Sequence, residues 1–138
     1  MEGAYQHMID AKGRLFIPSR LREELGDVFY VTLSMEKCLT AYSNESWEQF
    51  KEKVRAMPKA KQNKMRPLFS HAAKCDVDGQ GRVLLSQALR DFADLKKSVT
   101  VVGNGECAEI WDSERWAATD AIETTPDNIA SVFMELDF

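Results

Sequence analysis

The spacing of apolar positions along the chain changes several times, and each change marks an element. Residues 5–9 alternate as a strand does, and residues 14–17 continue as a second strand after a polar turn. Pro18 stands where a first helical residue is favoured and Gly26 where a helix ends, with Leu21 and Leu25 as a short apolar stripe between them. Residues 28–33 and 38–42 are rich in β-branched and aromatic types, which predicts two further strands. Ser43 or Asn44 can cap the next helix, which puts Trp47, Phe50, Val54 and Met57 on one side until Pro58 ends it. Residues 59–68 are basic and helical in pattern. The order then begins again. Strands are predicted over 72–77, 82–85, 99–102 and 108–111, with a Ser86-capped helix and an Asp112-capped helix that carries Trp116. Thr125-Pro126 opens a last helix with Ile129, Val132, Phe133 and Leu136 on one face.

This recurrence is an internal repeat. Asp10-Ala-Lys-Gly-Arg14 lies over Asp78-Gly-Gln-Gly-Arg82 at an offset of 78 − 10 = 68. Leu21-Arg22 then matches Leu89-Arg90, and Val31-Thr32 matches Val99-Thr100. One inserted residue pairs Cys38 with Cys107, Tyr42 with Trp111 and Trp47 with Trp116. A half of roughly 60–70 residues would be marginal alone, so the two halves are expected to share one core. The organisation read from this is a first repeat at 1–50, a basic helical connection at 51–70, and a second repeat with a C-terminal helix at 71–138.

The repeated turn has its own chemistry. Gly13 and Gly81 can take positive φ at a tight reversal without a Cβ penalty. Asp10 and Asp78 can accept backbone N–H bonds across the turn, or pair with Arg14 and Arg82 and hold those side chains. A held arginine presents a planar fork of donors that suits the O6/N7 edge of guanine or a phosphate. Lys12 adds a charge in the first copy only. One such turn alone reads as a good hairpin with a solvated arginine; two copies in register read as a binding surface.

Other chemistries find no support. Counting Asp76 as the first position of a calcium loop puts Gln87 where a bidentate acid is needed. His7 and His71 stand alone in predicted strands, with no ligand spacing around them. No Ser/His/Asp set, P-loop or G-x-G-x-x-G occurs. No catalytic residue, metal, cofactor or small-molecule substrate is therefore expected. Cys38, Cys75 and Cys107 form no C-x-x-C and read as small buried hydrophobes. No apolar run is long enough for a membrane, and the first residues lack the pattern of a secretion signal, so a cytoplasmic protein is expected.

The net charge of −4 hides a polar distribution. Residues 1–75 carry 13 Lys/Arg against 9 Asp/Glu, and residues 76–138 carry 5 against 13. Residues 51–74 hold 8 Lys/Arg and a single acid, Glu52. Such a chain can bind a polyanion through one face. The basic run itself reads as the wet face of an amphipathic helix, as a supplementary DNA contact, or as packing against an acidic neighbouring subunit.

The stretch Gly3-x-Tyr5-x-His7-x-x-Asp10-x-Lys12-Gly13-Arg14-Leu-x-Ile17-Pro18-x-x-Leu21-Arg22 resembles the start of the MraZ family of bacterial transcriptional regulators. Cys38-Leu-x-x-Tyr42 with Trp47, the strand leading to Asp78 with Gly81-Arg82, and Glu109-Ile-Trp111-Asp112 resemble its later blocks. The resemblance implies an α+β fold with a mainly β core, in which two AbrB-like swapped-hairpin repeats form a pseudo-twofold barrel with flanking helices. It implies a ring-shaped homo-oligomer, nucleoid-associated, that binds double-stranded DNA at short direct repeats in the promoter of the division and cell-wall gene cluster, usually as a repressor. Its DNA-reading positions fall on Asp10, Lys12, Gly13, Arg14, Asp78, Gly81 and Arg82. Three departures stand out. Gly79 and Gln80 occupy positions where a lysine is common, Ser86 replaces a proline, and Glu2 stands where an aromatic is frequent. Two rivals remain open: an oligomeric scaffold that docks an acidic partner through the basic run, and an antitoxin. Because the first loop alone has Lys12 and lies in the basic half, loss of Arg14 is expected to hurt DNA binding more than loss of Arg82.

Overall fold

The computed structural model describes residues 1–137. Its first half contains β1 (Ala4–Met8), β2 (Arg14–Phe16), α1 (Ser19–Leu25), β3 (Val28–Leu33), β4 (Leu39–Ser43) and α2 (Asn44–Arg55). Two short helices, α3 (Lys59–Lys64) and α4 (Arg66–Ser70), lead to the second half. That half contains β5 (Ala73–Asp76), β6 (Arg82–Leu84), α5 (Gln87–Phe92), β7 (Ser98–Asn104), β8 (Cys107–Asp112), α6 (Ser113–Glu123) and α7 (Pro126–Glu135).

The halves exchange strands. A six-stranded antiparallel sheet runs β1-β7-β8-β4-β3-β5, so the first strand of each half pairs with the third β-strand of the other. Interchanging the halves reverses this order and leaves it unchanged, which is the expected pseudo-twofold arrangement. β2 and β6 form a separate antiparallel ladder, tied to the end of β1 by a bridge between Ile9 and Leu15. Hydrogen bonding does not close the sheet into a barrel; its edges are β1 and β5.

Strand register refines the repeat alignment. Tyr5 pairs with Val101 and Ala73 with Val31, so β1 and β5 differ by 68 positions but β3 and β7 by 70. The counterpart of Val31 is therefore Val101, not Val99. α1 ends at Gly26 (φ 86), one residue before Asp27 leads into β3. α5 ends at Ala93 and the chain turns through Asp94 (φ 50) before β7, which lodges two extra residues.

One apolar cluster joins both halves: Leu15, Ile17, Phe29 and Val31 meet Val83, Leu85, Val101 and Ile110, each at most 1% exposed. Burying each such side chain contributes about 1.5–3 kcal/mol. The shared core follows from the exchange, since neither half owns both faces of its own sheet.

Helix starts follow their caps. The side chains of Ser43, Ser86, Asp112 and Thr125 accept from the N–H groups of Ser46, Leu89, Arg115 and Asn128. The basic run forms two helices, not one, because Pro67 has no N–H and is tolerated only in a first turn. α2 and α4 pack through stacked rings: Trp47 lies 5.5 Å from Tyr30 and 5.3 Å from Phe50, with Phe69 edge-on at 5.7 Å. His71 follows α4 at its C-cap, outside any strand. On α7, Ile129 and Val132 are solvent-exposed, as is Leu136 at its C-cap.

Cys38 and Cys75 are buried, whereas Cys107 at the start of β8 is only half-buried. Burial pushes the Cys38 and Cys75 thiols up to about 12, and also raises that of Cys107. Thiolate is the reacting species. Alkylation of the native protein at pH 8, read by mass spectrometry, is therefore expected to modify Cys107 first. Cys38 and Cys75 should react only after denaturant is added.

Candidate nucleic-acid interface

The two turns fold alike. In the first, Asp10 Oδ1 accepts from the Lys12 N–H at 3.0 Å and the Arg14 N–H at 2.9 Å, and Oδ2 accepts from Arg14 Nε at 2.7 Å. In the second, Asp78 Oδ1 accepts from the Gln80 N–H at 2.8 Å and the Arg82 N–H at 2.9 Å, and Oδ2 accepts from Arg82 Nε at 3.2 Å. The Gly13 N–H donates to Asp10 O and the Gly81 N–H to Asp78 O, both at 3.0 Å. Gly13 has φ 88 and Gly81 φ 80, so the glycines serve the reversal that their position suggests.

Each carboxylate thus fixes its arginine by Nε and leaves the Nη1/Nη2 end of the fork outward. Arg14 and Arg82 lie on the face of the β2–β6 ladder opposite buried Leu15 and Val83. Their side chains are 37% and 28% exposed, enough to meet a ligand without being loose.

The two loops are also neighbours. Arg14 pairs across from Leu84 and Phe16 from Arg82, a diagonal placement on one face. Asp10 Oδ2 lies 2.7 Å from Arg14 Nε and 3.9 Å from Arg82 Nη1. Those two nitrogens are therefore at most 2.7 + 3.9 = 6.6 Å apart. Asp10 touches both guanidinium groups, whereas Asp78 touches only Arg82. All seven residues singled out from the sequence come together here. The sharing of Asp10 was not legible in it, because β2–β6 pairing is long-range.

Two further arginines were missed. Arg90 on α5 lies against Gly13, and Arg22 on α1 lies against Gly81. Their places in Leu21-Arg22 and Leu89-Arg90 were a usable signal, since a charged pair kept in register at half-buried positions asks for a reason. Together Lys12 and the four arginines outnumber Asp10 and Asp78 by five to two.

The carboxyls of Asp10 and Asp78 are held below their ordinary 3.8. The N–H of the arginine four residues on lowers each most, partial desolvation opposes this, and the arginine side chain and the loop N–H two residues on (Lys12, Gln80) add to the lowering. A group depressed in the folded state contributes stability above its unfolded value, and that contribution is lost as pH falls through the folded value. The loops should keep their Arg14 and Arg82 Nε–H signals in ¹⁵N NMR from pH 7 down to pH 5. Those signals should weaken only below 3.8.

The MraZ family model, "MraZ protein, putative antitoxin-like", matches twice, over residues 1–66 and 68–125. The protein named transcriptional regulator MraZ of Heliobacterium modesticaldum is 46% identical over 118 residues, 83% of this chain and 82% of its own length. The one from Carboxydothermus hydrogenoformans is 46% identical over 117 residues, with the same coverage. That of Ligilactobacillus salivarius is 40% identical over 139 residues, 98% of this chain and 97% of its own. Two consecutive family matches on a chain whose halves exchange strands, together with relatives alike from end to end, mean that the chain belongs to the MraZ family.

Proposed function

We propose that this protein is a sequence-specific DNA-binding transcriptional regulator that reads guanine-containing direct repeats through Arg14 and Arg82. The observation that carries this is the pair of arginines held by Nε on one face, with their terminal amino groups free to form the two-pronged contact to guanine O6 and N7. The similarity to proteins named transcriptional regulators supports the same reading.

The geometry bears on how DNA is read. Base pairs rise 3.4 Å per step along each strand. Arginine nitrogens no more than 6.6 Å apart suit bases within about two steps, and not half-sites one helical turn away, about 34 Å. One subunit therefore carries a single composite reading head. Direct repeats further apart are read by successive subunits of a ring-shaped homo-oligomer, whose linked engagements raise apparent affinity ~10²–10⁴-fold when spacing permits. The regulated target is the promoter of the division and cell-wall gene cluster, and repression is the direction of control. The setting is the cytoplasm, at the nucleoid.

A salt series tests this reading. Binding to a promoter fragment of that cluster is compared with binding to the same fragment scrambled. Steeply salt-dependent binding with a large excess for the true sequence is expected. Equal binding to both fragments excludes sequence reading. The scaffold alternative predicts instead that reversing Lys59, Lys61 and Lys64 abolishes partner capture while the two turn arginines are dispensable.

A further inference from the structure

Each turn glycine is covered by an arginine from the opposite half. A Cβ on Gly13 would meet Arg90 Cζ and Nε at 2.8 Å and Leu85 O at 2.7 Å. A Cβ on Gly81 would meet Arg22 Nη1, and Phe16 Cε1 at 2.9 Å. Arg22 and Arg90 occupy the same repeat position, 90 − 22 = 68 residues apart. The packing is thus reciprocal across the pseudo-twofold axis.

The contacts around Gly13 form a closed unit. Arg90 Nε donates to Leu85 O at 3.1 Å, and the Leu85 N–H donates to Gly13 O at 2.9 Å. Around Gly81, the Ile17 N–H donates to Gly81 O at 2.9 Å and the Arg22 guanidinium lies beside the Phe16 ring's approach to the same glycine. Among the described residues, neither Arg22 nor Arg90 has an acidic ion-pair partner. Their half-buried heads meet the loop glycine directly, and Gly13 and Gly81 immediately precede Arg14 and Arg82.

We propose that Arg22 and Arg90 are positioning residues, each a lid that sets the angle at which the other half's Asp–Arg loop presents its guanidinium. This rests on the reading of guanine by Arg14 and Arg82 put forward above. A hydrogen bond weakens steeply when donor and acceptor move beyond about 3.2 Å. A shift of about 1 Å at Gly13 would thus remove Arg14 from bidentate range. The lid works through the planar guanidinium that rests on the glycine, a shape lysine lacks. The coupling runs across the repeats: α5 controls the first loop and α1 the second.

Arg90→Ala, Arg90→Lys and Arg22→Ala test this in two steps. In the free protein, ¹H–¹⁵N NMR should show shifts at Gly13 and Arg14 for both Arg90 variants, with Gly81 and Arg82 unmoved, and the converse for Arg22→Ala. On DNA, each variant should lose roughly tenfold in the ratio of true to scrambled promoter binding, the discrimination of about one base contact. The salt slope of Arg90→Lys should equal that of the parent. If Arg90→Lys keeps parental loop signals and discrimination, its charge alone matters and the lid is overturned. A slope lowered by about one in Arg90→Ala with unmoved loop signals makes Arg90 a phosphate contact and also overturns it. If the parent does not discriminate between the two DNAs, the guanine reading fails, while the loop signals still decide whether the arginines position the turns.

Discussion

Arg14→Ala is expected to weaken binding to the repeat-containing promoter by roughly tenfold or more, and by a larger factor than Arg82→Ala. Both arginines are held by Nε, but Arg14 sits closer to its carboxylate, 2.7 Å against 3.2 Å, and its side chain is more exposed. Lys12 stands beside it, where the second loop has Gln80. A guanine lost from one subunit is lost from every subunit of an assembly, so the effect on a multi-repeat fragment should exceed that on a single repeat. Fluorescence anisotropy at fixed salt measures both variants, with circular dichroism verifying that each is folded. Equal losses would contradict the ordering, and Asp10 gives the reason to look: its carboxylate touches both guanidinium groups, so the two are not wholly independent.

Phe29→Ala is expected to carry the largest stability loss, roughly 3–5 kcal/mol. Phe29 is fully buried at the centre of β3, paired with Ser43 of its own half and with Cys75 of the other. Truncating it opens a cavity where the exchanged strand is anchored. A domain of this size has about 5–15 kcal/mol in total, so a third or more of the stability goes. Thermal denaturation should show a fall of about 10 °C or more. A fall of only a few degrees would mean that the exchanged strand is held mainly by its backbone ladder.

What could be read from the chain, and what could not, follows from the range of the interactions involved. Caps and turns are local, and they were legible: Ser43, Ser86 and Asp112 each accept the expected N–H, and Gly13 and Gly81 take positive φ. The repeat implied a shared core, and the core is shared. Strand register was misread at Val31, because matching residue types slid over a two-residue insertion that only the ladder reveals. The basic run was read as one helix because its charge pattern is continuous, whereas the missing N–H of Pro67 splits it. The loops were found as two separate features. Their fusion into one face depends on β2 pairing with β6, 68 residues away, and no local pattern encodes that. The contacts of Arg22 and Arg90 with the opposite glycines escaped for the same reason.

The most direct measurement is the binding of the Arg14→Ala/Arg82→Ala double variant to the true and scrambled promoter fragments, across a salt series. A folded double variant should bind both fragments alike, with the parent's preference for the true sequence gone and a shallower salt slope. A folded double variant that still prefers the true sequence as strongly as the parent does would contradict the assignment of sequence reading to these two arginines.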